Sequence, residues 1–86
     1  MSYETPRKYP YEEFSRKLGQ RLYELRTEQK ISQEYIAQRA GISAYTYQKF
    51  EKGESKPGTP MNPQLYTLLA LADAFGVSLK TLITFK

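Results

Sequence analysis

The chain has 86 residues with 13 Lys and Arg against 9 Asp and Glu, a formal net charge of +4 and a pI near 9.4, and it contains neither cysteine nor histidine. That length holds one domain with one modest core and leaves little room for a deep catalytic cleft. The missing residue types remove disulfides, thiolate nucleophiles, the usual zinc ligands and the usual general base near neutral pH, so neither an enzyme nor a metal or cofactor is expected.

Residues 1–9, MSYETPRKY, mix proline, charge and tyrosine without a period, and the expectation is a flexible arm preceding a domain over 10–86. The segment lacks the apolar run of a signal peptide, and no stretch of the chain is long and apolar enough for a bilayer. A soluble, cytoplasmic protein without membrane association is the expectation. The basic balance leans toward a polyanionic partner, a weak argument on its own.

Pro10 suits the first turn of a helix, where its missing N–H costs nothing. Tyr11, Phe14, Leu18, Leu22 and Leu25 then recur at helical spacing, while Glu12, Glu13, Lys17, Glu24 and Glu28 point elsewhere. Gly19 costs this first helix about 1 kcal/mol relative to alanine, which a close helix–helix approach would explain. Ser32 is a good N-cap for a second helix with Ile36, Ala37 and Ala40 as its apolar face, ending at Gly41. Ser43 caps a third helix from Ala44 to Lys52, which stops at Gly53.

Glu54 to Met61 carries two prolines, a glycine and a serine and reads as a loop. Asn62-Pro63 restarts the chain as cap and first helical residue, with Leu65, Leu68, Leu69, Ala72 and Phe75 as the inward face of a fourth helix. Ser78 caps a short fifth helix with Leu79, Leu82 and Ile83 inward. Leu82, Ile83 and Phe85 suit either the core or a second subunit. No segment alternates convincingly as a strand, so the expected class is all-α.

The informative block runs from Ser32 to Gly53, SQEYIAQRAGISAYTYQKFEKG. Two capped helices meet at the turn Ala40-Gly41-Ile42, and a short glycine-containing turn makes the second helix cross the first steeply. A helix so presented fits the major groove of duplex DNA. With Ala44 set at 0° and 100° per residue, Gln48, Lys52, Tyr45 and Lys49 fall within about 140° on one side, opposite Tyr47 and Phe50. The outward groups suit base edges and phosphates, but they also suit an ordinary solvated helix face.

The block, with the helices on either side of it, resembles the Cro/phage-repressor (XRE) helix-turn-helix family. The matching residues are Leu22, Leu25 and Arg26 in the first helix; Ser32, Gln33, Ile36 and Ala37 in the second; Gly41-Ile42-Ser43 at the turn; and Phe50-Glu51-Lys52-Gly53 at the end of the third. Leu68, Ala70, Leu71, Ala72, Phe75-Gly76-Val77-Ser78 and Leu82 resemble the family's last two helices. As a set the resemblance spans about residues 13–84.

It implies a five-helix lambda-repressor-like DNA-binding domain whose helices 2 and 3 form the helix-turn-helix, with double-stranded DNA as partner. Ala44, Tyr45, Gln48 and Lys49 then match positions facing bases, and Gln33, Ser43, Lys52 and Lys56 positions contacting phosphates. Arg26 and Glu51 match a structural salt bridge between the first and third helices. A homodimer on a pseudo-palindrome is the expected assembly, and the role a transcriptional regulator, most simply a repressor. The alternative is a protein-interaction module, such as an antitoxin that binds a protein partner and regulates its own promoter.

The sequence departs from the family pattern in a longer segment after the third helix, in Tyr47 where a branched aliphatic is usual, and in the lack of arginine from the third helix. Ile31 to Met61 holds four basic and three acidic side chains, so a single head attracts phosphate weakly and a dimer would double the contacts. Arg7 and Lys8 suit either a minor groove or a solvated tail.

Overall fold

In a computed structural model, residues 10–85 are described. The order is α1 (Tyr11–Glu28), α2 (Gln33–Ala40), α3 (Ala44–Lys52), β1 (Glu54–Lys56), β2 (Thr59–Pro60), α4 (Leu65–Phe75) and α5 (Leu79–Ile83). The five expected helices are all present, with one addition, a small β hairpin. The arm expected over 1–9, with Arg7 and Lys8, lies outside the described residues.

Three helix starts are fixed by serine. The hydroxyls of Ser32, Ser43 and Ser78 accept the backbone N–H groups of Tyr35, Thr46 and Thr81 at 3.0, 3.1 and 3.0 Å. Between α2 and α3 the chain turns at Gly41, whose φ of 75° is open to glycine at little steric cost. The N–H of Ile42 then returns to the carbonyl of Ala37 at 3.0 Å, closing α2 and tucking Ile42 against the core.

Every helix contributes to one core. Leu18, Leu22 and Leu25 come from α1, Ile36 and Ala37 from α2, Tyr47 and Phe50 from α3, Leu71, Ala72 and Phe75 from α4, and Leu82 from α5. Leu82 is fully buried, Ile83 and Phe85 pack on the same core, and the Phe85 ring meets Phe14 edge-on at 4.9 Å. The end of α5 therefore completes the core of its own chain.

Gly19 lies where α1 crosses the end of α3. A methyl group there would stand 2.4 Å from the carbonyl oxygen of Glu51 and 2.7 Å from that of Phe50, so the glycine does mark a close approach.

The segment 54–61 was expected as a loop and is instead paired. Glu54 stands opposite Pro60 and Lys56 opposite Thr59, with an irregularity between them. Pro57-Gly58 makes the turn, Gly58 at φ 80°, and its N–H donates to the Glu54 carboxylate at 2.8 Å. Strands of three and two residues are too short to show alternation in sequence. The hairpin is anchored to α1: Met61 donates its N–H to the Gly53 carbonyl at 2.9 Å, and the Ser15 hydroxyl donates to the Met61 carbonyl at 2.7 Å.

Two boundaries also differ. Pro10 is the N-cap of α1, not its first turn, and Tyr11 is exposed, not part of the buried stripe. Helix α4 begins at Leu65 after an extended Gln64, so Asn62 does not cap it. Its inward face is Leu68, Leu71, Ala72 and Phe75, the i, i+3, i+4, i+7 set, which leaves Leu65 and Leu69 in solvent. In a helix this rich in leucine, two apolar stripes fit the sequence, and packing against α2 and α5 selects one.

Candidate nucleic-acid interface

Helix α3 is amphipathic in the expected sense. Tyr47 and Phe50 are buried against α1 and α2, while Tyr45 and Gln48 face solvent. Ala44 is half-buried on the core's edge, and Lys52 is exposed at the last turn. Lys49 is half-buried, and its ammonium lies over the Tyr45 ring, 4.3 Å from the centroid.

The hairpin closes this face on one side. A groove of about 330 Å³ between α3 and the hairpin is lined by Tyr45, Gln48, Lys49, Lys52 and Lys56, together with Glu54, Ser55 and Pro57. The hairpin thus brings Lys56 to the groove beside α3. Ser55 shares the lining and was not anticipated. The signal for it was Pro57-Gly58, the turn that folds the segment back beside α3.

The remaining expected contacts sit differently. The Ser43 hydroxyl caps α3 and bonds the Thr46 hydroxyl at 2.9 Å, so it is already engaged locally. Gln33 lies apart from the groove, and its side-chain amide donates to Glu51 Oε1 at 3.0 Å.

Glu51 is the hub behind the face. Arg26 donates through Nε to Glu51 Oε2 at 2.6 Å and through Nη2 to Oε1 at 3.2 Å, and its Nη1 reaches the Ile31 carbonyl at 3.0 Å. The pair ties α1 to α3, Gln33 adds α2, and the Ile31 contact adds the α1–α2 connection. The two side chains are only 15% and 8% exposed. The carboxylate pairs with a planar guanidinium through two parallel bonds, the strongest geometry open to it.

The electrostatics follow. Burial opposes ionisation of Glu51, but the hydrogen bond from Arg26, the neighbouring Tyr47 phenol and the bond from Gln33 outweigh it and hold the carboxyl below its usual range. The bond to Glu51 raises Arg26 further still. Burial, then the adjacent Glu51 carboxylate, pushes the Tyr47 phenol far above its usual range. The Tyr47 hydroxyl is fully enclosed beside this pair yet meets no acceptor in hydrogen-bonding geometry.

The arrangement offers an exposed, cationic, hydrogen-bonding surface on a braced helix. Among the described residues there is no cluster of carboxylates suited to a metal. No described helix is long and apolar enough to cross a membrane.

Comparison with known proteins agrees with this geometry. Residues 19–86 match the family model described as a helix-turn-helix domain. Among solved structures, the restriction-modification controller protein C.AhdI from Aeromonas hydrophila is 34% identical, with 79% of this chain and 94% of that chain covered and a TM-score of 0.70. The P22 c2 repressor in complex with a synthetic operator is 27% identical over 78% of this chain and 92% of that one, with a TM-score of 0.67. SinR, a master regulator of biofilm formation solved in complex with DNA, is 25% identical over 78% of this chain and 98% of that one, with a TM-score of 0.66. No curated protein matches the chain.

Proposed function

The chain belongs to the helix-turn-helix domain family, and from that premise we propose that it regulates transcription, as a repressor, by inserting α3 into the major groove of a specific duplex DNA site. The observation that carries this reading is the convergence of Tyr45, Gln48, Lys49, Lys52 and Lys56 on one exposed groove beside a helix braced from behind. Gln48 suits adenine, Lys49 suits guanine, and Ala44 and Tyr45 offer apolar contact to a thymine methyl. Lys52 and Lys56, with Ser43 and Gln33 at the starts of the two helices, serve the phosphate backbone. Gln33 can do so with the second amide hydrogen, which its bond to Glu51 leaves over.

The regulators similar to this chain support the reading, two of them solved in complex with DNA or an operator. One reading head is nearly neutral, which favours two copies on a pseudo-palindrome, each supplying a set of phosphate contacts.

A fluorescence anisotropy titration of the full chain with a selected duplex and its scrambled counterpart, repeated across a salt series, tests the proposal. Tighter binding to the selected duplex, with log K falling linearly in log salt, is expected. Equal binding to both duplexes, or none at low salt, overturns it.

A second reading, a module for a protein partner, rests on Leu65, Tyr66 and Leu69, which form an exposed apolar strip on α4. SinR, solved elsewhere in complex with the protein SinI, is a relative of that kind.

A further inference from the structure

We propose that Tyr45 is a positioning residue for Lys49: its ring holds the ammonium at one place on the exposed face of α3, so that Lys49 reads a guanine edge in place of a nearby phosphate. The inference rests on the DNA-reading function and adds to it a division of labour between two residues one helical turn apart.

The geometry begins with the spacing. Residues i and i+4 lie one above the other on a helix, and here the Lys49 ammonium sits 4.3 Å from the Tyr45 ring centroid, within cation–π range. Lys49 is half-buried, while its neighbours Gln48 and Lys52 on the same face are exposed. The ring itself is 68% exposed, so it is not a core side chain that the lysine happens to brush.

Competing partners are engaged elsewhere. Lys49 has no ion pair among the described residues. Glu54, the acid lining the same groove, accepts the Gly58 N–H, and Glu51 is bound to Arg26 and Gln33. The ring is therefore what orders the ammonium.

The chemical consequence concerns specificity. An unrestrained lysine is a mobile point charge that settles on any phosphate, whereas reading guanine O6 and N7 requires the donor to be placed. The ring takes one side of the ammonium and leaves the N–H groups on its other side free to donate to a base. The contact uses the π face, so the phenol hydroxyl is dispensable.

The test enriches a random-sequence duplex pool on the full chain and on Lys49→Met, Tyr45→Phe and Tyr45→Leu. Wild type and Tyr45→Phe are expected to enrich the same site. Lys49→Met loses preference at one base pair, and Tyr45→Leu weakens preference at that same pair by roughly two- to five-fold. The double variant Tyr45→Leu/Lys49→Met behaves as Lys49→Met alone.

Unchanged preference at that pair in Tyr45→Leu overturns the proposal. So does a loss confined to a different pair, which would make the tyrosine a direct reader alone, or an equal loss at every pair, which would make it structural. If the wild-type chain enriches no sequence, the DNA-reading function itself falls. Neither side chain belongs to the buried core, and thermal melting of each variant checks that the fold is retained.

Discussion

The α-carbon of Gly19 lies against the backbone carbonyl of Glu51, at a distance where a methyl group would stand 2.4 Å from the oxygen. Backbone, unlike a side chain, cannot swing away. Gly19→Ala therefore forces α1 off α3 and is expected to cost about 1–3 kcal/mol, even though alanine favours helix by about 1 kcal/mol. Urea denaturation measures it. Gly41→Ala is the contrast: open space surrounds it, and its φ of 75° leaves only the left-handed strain of about 1–2 kcal/mol. A stabilised Gly19→Ala would refute the close approach.

Removing one partner of the Arg26–Glu51 pair strands the other charge in a site where the side chains are 15% and 8% exposed. Arg26→Met or Glu51→Leu is expected to cost about 3–5 kcal/mol by chemical denaturation. The double variant Arg26→Met/Glu51→Leu is expected to recover much of that loss, since no unpaired charge remains. A double variant as unstable as the sum of the singles would show that the pair is not coupled.

Stability should fall at both ends of the pH scale for separate reasons. The Glu51 carboxyl is lowered in the folded chain, so its contribution is present above the ordinary value of 4.5 and fades as pH drops below it. The Tyr47 phenol is raised, so its contribution holds below the ordinary value of 10.0 and fades as pH climbs past it. Between those limits neither group makes stability depend on pH. Glu51→Gln should flatten the acid limb and soften the alkaline one, where burial of Tyr47 remains as the larger cause, read from melting temperatures across pH.

Tyr47→Phe tests the enclosed hydroxyl. A buried polar group without an acceptor costs stability, so its removal is expected to leave the fold unchanged or stabilise it by about 1 kcal/mol. A loss of more than about 1 kcal/mol would show that the phenol does bond to Glu51.

Lys52→Ala and Lys56→Ala are expected to weaken DNA binding to all sequences alike and to reduce the salt slope by about one each. Anisotropy titrations at several salt concentrations check this. A change confined to one base pair would instead make either lysine a base reader.

Much of this arrangement is legible in the sequence where a residue type has one favoured use. Ser32, Ser43 and Ser78 marked helix starts, Gly41 marked the turn, and Arg26 and Glu51 were matched as a pair. The hairpin was not legible, because two strands this short carry no period and their pairing depends on tertiary anchoring to Ser15 and Gly53. Helix α4 was mis-phased because leucine at 65, 68, 69 and 71 fits two faces and only packing decides. The inward bond of Gln33 to Glu51 was hidden for a similar reason: sequence places a side chain near a helix start but not the rotamer it takes.

The anchoring of α3 has a last consequence. Its first turn is capped by Ser43, its last residues are held by Arg26 and Gln33, and the glycine that ends it is buried against the backbone of Ser15 and Arg16. A helix held at both ends has little compliance of its own. A duplex fitted to it must supply the deformation, and the elastic cost then depends on how readily its base steps bend. Discrimination would extend to base pairs that no side chain touches, with flexible pyrimidine–purine steps favoured over stiff adenine tracts wherever curvature is required.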